Sequence, residues 1–190
     1  MPVSGRCRAR DTRTVRRLGE HPARRPYPGR GRHDSRGRRV VPLLDLPRSA
    51  VEEELGWRGF ALPRLQARHS ALAASLIVGA AWGIYHFPLF LLGSPTRPLA
   101  LFLPFAIGSV IMSIFYTWMY NGTGGSLLIV VLLHATTNLP LTVVYEHLGE
   151  RVVPVFWLLD AILAIGAAVL IARTGAATLS RVRGKQTETP

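Results

Sequence analysis

No Asp, Glu, Lys or Arg occurs between Arg68 and Arg97, and none from Pro98 to Tyr145. A helix rising about 1.5 Å per residue crosses a hydrocarbon core of about 30 Å with about 20 residues. The first run is long enough for one crossing, the second for two. A soluble helical bundle would need polar faces on these helices, and the runs supply none. Asn121-Gly-Thr-Gly-Gly125 is a turn signal that divides the second run. The expected spans are Ser70–Leu92, Leu99–Tyr120 and Ser126–Tyr145, with a fourth at Val152–Ala172 beyond the polar stretch Glu146–Arg151. The fold class that follows is all-α. It is a polytopic membrane helix bundle of about four transmembrane spans plus a helix bearing the chain's acidic motif, preceded by a disordered basic segment.

Charge is divided as sharply as hydropathy. Residues 1–48 hold fourteen arginines, no lysine and four acidic side chains, so +10 of the chain's formal +12 lies at the front. That segment is Arg, Gly and Pro without helical or strand periodicity, which predicts disorder over 1–47. It reads either as a basic arm for anionic lipid or as mis-started or out-of-frame text of a GC-rich gene. Nucleic acid is not the expected partner, because Tyr27 is the only aromatic there. No apolar stretch follows the positive residues as in a secretory leader. A lone cysteine, Cys7, excludes an intrachain disulfide. The chain therefore divides into 1–47, a membrane domain over 48–173, and a basic tail over 174–190. Arg64 and Arg68 precede the first span, and Arg173, Arg181, Arg183 and Lys185 follow the last. Four crossings bring both clusters to one side, which the positive-inside rule makes cytoplasmic.

Within this apolar frame the stretch Val51–Phe60, V-E-E-E-L-G-W-R-G-F, stands apart. Pro47 and Ser49 suit a helix start, and Glu52–Glu54 suit the positive end of its dipole. This helix is expected to run to about Arg68, with a bend or break at Pro63. Glu54 and Arg58 are four apart and share a face, while Glu53 points to a neighbouring one. The polar residues inside the spans are few: His86, the i, i+4 pair His134 and Asn138, and Asp160. A carboxylate and an imidazole can hold and deprotonate a water. An imidazole and an amide can donate to the oxyanion formed when that water attacks a carbonyl. Asp160 is expected to pair with a neighbour inside the bundle. Ala71, Ser75, Gly79 and Gly83 form a small-residue stripe for close helix packing, within one chain or between two. Tyr116, Trp118 and Tyr120 are expected at the membrane interface.

These residues resemble the CPBP family of intramembrane proteases, which includes the type II CAAX prenyl endopeptidases and the bacteriocin-immunity (Abi) proteins. The resemblance rests on three motifs in order. Glu53-Glu54-Leu-Gly-Trp-Arg58 matches E-E-x-x-x-R and continues as Gly59 to Leu65; Trp82-Gly-Ile-Tyr-His86 matches F-x-x-x-H with tryptophan for phenylalanine, a mild aromatic swap; His134-Ala-Thr-Thr-Asn138 matches H-x-x-x-N. The resemblance covers roughly Ser49 to Ala172. It implies that Glu53 and His86 activate water, that His134 and Asn138 stabilise the oxyanion, and that Glu54 and Arg58 orient the site.

The implied activity is a glutamate-dependent endopeptidase acting on a membrane-associated peptide or protein, of the class whose founding substrates are prenylated CAAX tails. The glutamate mechanism requires no cofactor. Members are often labelled metalloproteases, and a zinc ion, if any, would fall to Glu53, His86 and His134, but there is no H-E-x-x-H to demand it. The competing readings are a non-catalytic membrane immunity or scaffold protein that keeps the motifs for packing, and an inactive truncated member.

Overall fold

The computed structural model describes residues 45–92 and 98–180, without the side chains of 45–47, 139–146 and 150. The expectations for the arginine-rich front and for the charged end of the tail lie outside these residues. Seven α-helices follow in order: α1 Asp45–Gly56, α2 Leu62–Gln66, α3 Ala71–Tyr85, α4 Phe87–Leu91, α5 Phe102–Gly122, α6 Leu127–Leu148 and α7 Val152–Thr174. No strand occurs among the described residues.

Pro63 does not break the motif helix. A π-helical turn, Trp57–Ala61, joins α1 to α2, and the Leu62 N–H bonds to the Trp57 carbonyl five residues back. Proline offers no N–H and its ring crowds the carbonyl four residues before it, here Gly59. Widening the turn relieves that conflict while the backbone stays helical through Gly56, Ala61 and Leu62. The result is a helical rod over 45–66.

Its neighbours fix its direction. Glu54 meets His134 of α6 while Gly59 meets Leu127, so rod and α6 are antiparallel. Arg58 meets Ser113 of α5 while Gln66 meets Asn121, so rod and α5 are parallel.

Three helical stretches are long and apolar enough to cross a membrane: Ala71–Leu91, Leu99–Gly122 and Val152–Thr174. α6 has the length at 22 residues, and its Leu127–Asn138 portion is apolar. Pro88 bends the first span at His86 rather than ending it, and α4 continues the crossing. Leu158, Ile162, Ile165 and Val169 of α7 are exposed at helical spacing. That outward apolar stripe suits hydrocarbon rather than water.

The small-residue stripe serves packing within the chain. A Cβ on Gly79 would stand 2.7 Å from the Val110 Cα and 2.9 Å from the Ser113 Cβ, and one on Gly83 would stand 3.1 Å from the Ala106 Cα. Only hydrogen fits there, so α3 and α5 touch through their backbones. After α7 the chain turns at Gly175, at φ 79°, and tucks under α3. The carbonyls of Ala176 and Ala177 accept from Leu72 and Ala71, satisfying N–H groups of the first turn of α3. Asn121, at the end of α5, donates to the Thr178 carbonyl. The start of α3 and the ends of α5 and α7 therefore lie on one side.

Candidate active site

Glu53 and Glu54 leave the rod on different faces and meet different helices. Glu54 is fully buried. Its Oε1 accepts from Arg58 Nη1 at 3.0 Å and from His134 Nδ1 at 2.7 Å. Arg58 is fully buried too, and its Nη2 donates to Ser113 Oγ at 3.2 Å. The guanidinium lies 4.7 Å from the Tyr116 ring centroid and 5.2 Å from that of Trp82. Desolvation holds Arg58 below its ordinary pKa, and the Glu54 carboxylate works the other way.

Tyr116 and Thr137 close the wall around His134. Thr137 Oγ1 donates to the His134 carbonyl at 2.8 Å, so Tyr116 OH donates to Thr137 Oγ1 at 2.7 Å. Tyr116 is 1% exposed. It belongs to the site and not to the interface its position near the end of a span suggests; an aromatic has no sequence mark that separates the two.

Glu53 stands in a more open place. Its side chain is 18% exposed and that of His86 15%, and Glu53 Oε2 faces His86 Nε2 across 3.9 Å. The gap is too long for a hydrogen bond. His86 Nδ1 lies 2.9 Å from the Trp82 carbonyl, which can only accept, so Nδ1 carries a hydrogen and, in the neutral ring, Nε2 carries the lone pair. The His86 N–H turns to the Gly83 carbonyl as α3 tightens ahead of Pro88, and the imidazole takes the Trp82 carbonyl. Trp82 Nε1 donates to Glu53 Oε2 at 2.6 Å. The exchange of tryptophan for phenylalanine in the second motif is thus not a mild one, because phenylalanine has no N–H to give.

Five of the six residues singled out by sequence sort into two groups. Glu53 and His86 face each other at the accessible edge, and Glu54, Arg58 and His134 form the sealed cluster behind them. Trp82 lies between the groups, its ring centroid 6.0 Å from that of His86 and 5.4 Å from that of His134. Asn138 is half-buried, one turn beyond His134 on α6. Among the described residues no three His, Cys, Asp or Glu side chains are grouped to hold a metal ion. Glu53 and His86 approach each other, but His134 presents Nδ1 to Glu54 instead of joining them. This donor set does not fit the zinc site that a metalloprotease label implies.

Asp160 is 5% exposed on α7, and its Oδ2 has no hydrogen-bond partner. The pairing expected for it is not found among the described residues. Its Oδ1 instead fills the space where Gly108 of α5 lacks a side chain, 2.7 Å from the position of a Cβ.

A model of the family described as "Type II CAAX prenyl endopeptidase Rce1-like" matches residues 40–140, a stretch holding all three motifs. The CAAX prenyl protease 2 of Methanococcus maripaludis is 34% identical over 106 residues, which cover 52% of this chain and 39% of that protein. The chain thus matches well under half the length of this curated relative. No solved structure matches it.

Proposed function

The chain belongs to the type II CAAX prenyl endopeptidase Rce1-like family, and from that premise we propose that it is a glutamate-dependent intramembrane endopeptidase. The observation that carries the reading is the pair Glu53 Oε2 and His86 Nε2, 3.9 Å apart and accessible, with the lone pair on the nitrogen that faces the carboxylate. A water about 2.8 Å from each would donate one hydrogen to each, at an angle of about 90°. Its own lone pair is then left for the carbonyl carbon of a peptide bond. Glu53 takes the proton as the oxygen–carbon bond forms, and returns it to the amide nitrogen as the carbon–nitrogen bond breaks. The carbonyl oxygen becomes an oxyanion. His134 Nε2 and the Asn138 amide are its donors in this reading. Donation from Nε2 needs the doubly protonated ring, because Nδ1 already gives its hydrogen to Glu54. The carboxylate of Glu54 faces the charge of that form. No step in this reading runs through a metal.

The substrate in this reading is a membrane-associated peptide or protein, and a prenylated C-terminal CAAX tail is its first candidate class. The matching protease of Methanococcus maripaludis carries that class in its name. The protein is integral to the membrane, and we place the side bearing Arg64, Arg68 and Arg173 in the cytoplasm by the positive-inside rule.

The test is cleavage of a prenylated CAAX peptide by membranes containing the chain, set against Glu53→Ala and His86→Ala at equal expression. Each substitution is expected to lower the rate at least about a hundredfold, the low end for loss of a positioned general base. Wild-type rates in both variants would sink the mechanism. A cellular phenotype that survives in both would favour the scaffold or immunity role.

A further inference from the structure

We infer that Trp82 is the positioning residue of the water-activating pair, setting the orientation of the Glu53 carboxylate and the tautomer of His86 together. The inference rests on the reading of Glu53 and His86 as the groups that activate water. It adds a residue whose indole N–H the family's aromatic motif does not require.

The geometry is unusual in what one residue does. The indole Nε1–H donates to Glu53 Oε2 at 2.6 Å, and the main-chain carbonyl of the same residue accepts from His86 Nδ1 at 2.9 Å. Glu53 comes from the rod, and its side chain would otherwise turn about several bonds, a freedom that costs free energy to remove. His86 could hold its proton on either nitrogen. With Nδ1–H committed to the carbonyl, the lone pair of the neutral ring is on Nε2, the atom that faces Glu53. Both choices are therefore made by Trp82.

Trp82 is itself held. It is 7% exposed, with the Arg58 guanidinium 5.2 Å from its ring centroid and the rings of Tyr116 and His134 at 5.7 and 5.4 Å. The indole thus carries the rigidity of the sealed Glu54 cluster to the open pair. A phenylalanine would fill much of the same space and leave Glu53 without its donor.

Two variants separate the N–H from the shape. Trp82→Phe keeps an aromatic ring. Substitution of Trp82 by β-(3-benzothienyl)alanine keeps the bicycle and puts sulfur where the N–H stands. In the membrane assay, the isostere is expected to lose about ten- to a hundredfold in kcat, the order that small misplacements of reacting groups produce. KM is expected to stay within about twofold, because the interaction serves the transition state and not ground-state binding. A merely space-filling role would leave the isostere at wild-type kcat, and that result would overturn the inference.

A second readout needs no turnover. The full chain, with 15N-labelled indoles, holds four tryptophans and gives four indole N–H signals in micelles. The signal missing from Trp82→Phe belongs to Trp82. Glu53→Ala is expected to move that signal more than the other three, and a Trp82 signal indifferent to Glu53→Ala would also overturn the inference. If Glu53→Ala cleaves like the wild type, or the wild type does not cleave, the proteolytic reading fails and this inference with it. If Glu53→Ala is inactive and the isostere fully active, the Trp82 inference alone fails.

Discussion

Glu53 and Glu54 are neighbours in the chain, and the helix rotates about 100° between them. That rotation takes one carboxylate to the accessible edge of the bundle and the other to its sealed interior. Glu53 is partly exposed, with one short donor and an imidazole held just beyond hydrogen-bond reach. Glu54 is closed off from solvent and accepts on Oε1 from a guanidinium and an imidazole at once. The difference separates reactivity from architecture. A group that must exchange a proton with a water needs access and an incompletely filled coordination. A group that must hold three helices in register needs to be shut away with charged or hydrogen-bonding partners at hand. In a low-dielectric interior the sealed cluster persists because its members face one another; removing one strands the rest.

The sharpest way to break this contrast is at Arg58. Arg58→Leu leaves Glu54 without its guanidinium and Ser113 without its donor. Loss of one partner of a buried ion pair costs about 3–5 kcal/mol. We expect a large drop in melting temperature in detergent, with poor accumulation in membranes. A variant that melted within a degree or two of the wild type would mean that the cluster does not hold the bundle.

Glu53→Gln probes the other side of the comparison. The glutamine carbonyl can still accept from the Trp82 indole, so melting is expected to be unchanged. Cleavage is expected to fall at least about a hundredfold, because an amide is no base. A fall in melting comparable to that of Arg58→Leu would place Glu53 in the architecture and erase the distinction.

How much of this was legible beforehand depends on what a residue spends. Charges inside an apolar frame are costly, so Glu53, Glu54, Arg58, His86, His134 and Asn138 stood out from the sequence, and charge-free length marked the spans. Residues whose polar atoms are cheap to bury did not stand out. Ser113, Tyr116 and Thr137 are ordinary in a membrane helix, and only the packing of α5 on the rod and on α6 gives them roles. Trp82 reads as a mild aromatic swap because its indole partner is 29 residues away. The π-helical turn was illegible for a different reason. Proline predicts local conflict but not its resolution, and here the backbone widens where a break was expected. Asp160 carried the same sequence signal as the site residues, a charge in a span, and its surroundings proved unlike theirs.

The glycines at α5's two seams, Gly79 facing it from α3 and Gly108 on α5 facing α7, refine the contrast further. Gly79→Ala would press a methyl onto the Val110 Cα and the Ser113 Cβ, atoms that cannot move without moving α5. Overpacking of this kind costs about 1–3 kcal/mol. Ser113 also carries the Arg58 contact, so the expected loss of melting temperature should be accompanied by reduced cleavage. Gly108→Ala meets only the end of the Asp160 side chain, which can rotate away. Its melting is expected to stay closer to the wild type, and the reverse order of the two variants would contradict the close α3–α5 contact.

Asp160 then gives the smallest expected effect and the most instructive one. It is nearly as buried as Glu54, and each has one oxygen without a hydrogen-bond partner. Glu54 Oε1 accepts from Arg58 and His134, whereas no hydrogen bond or ion pair reaches Asp160 among the described residues. The burial of such a group costs free energy instead of supplying it. Replacing a buried ionisable group by an apolar one of similar volume is often neutral or stabilising. Asp160→Leu should therefore melt within about 1 kcal/mol of the wild type, or above it, and cleave normally. The same chemical change at Glu54 should be severely destabilising. Thermal melting of the two leucine variants side by side, in one detergent, decides the matter. If Asp160→Leu falls as far as Glu54→Leu, then the α5–α7 seam depends on its carboxylate, and burial alone, without a full set of partners, would be enough to make a charge structural in this fold.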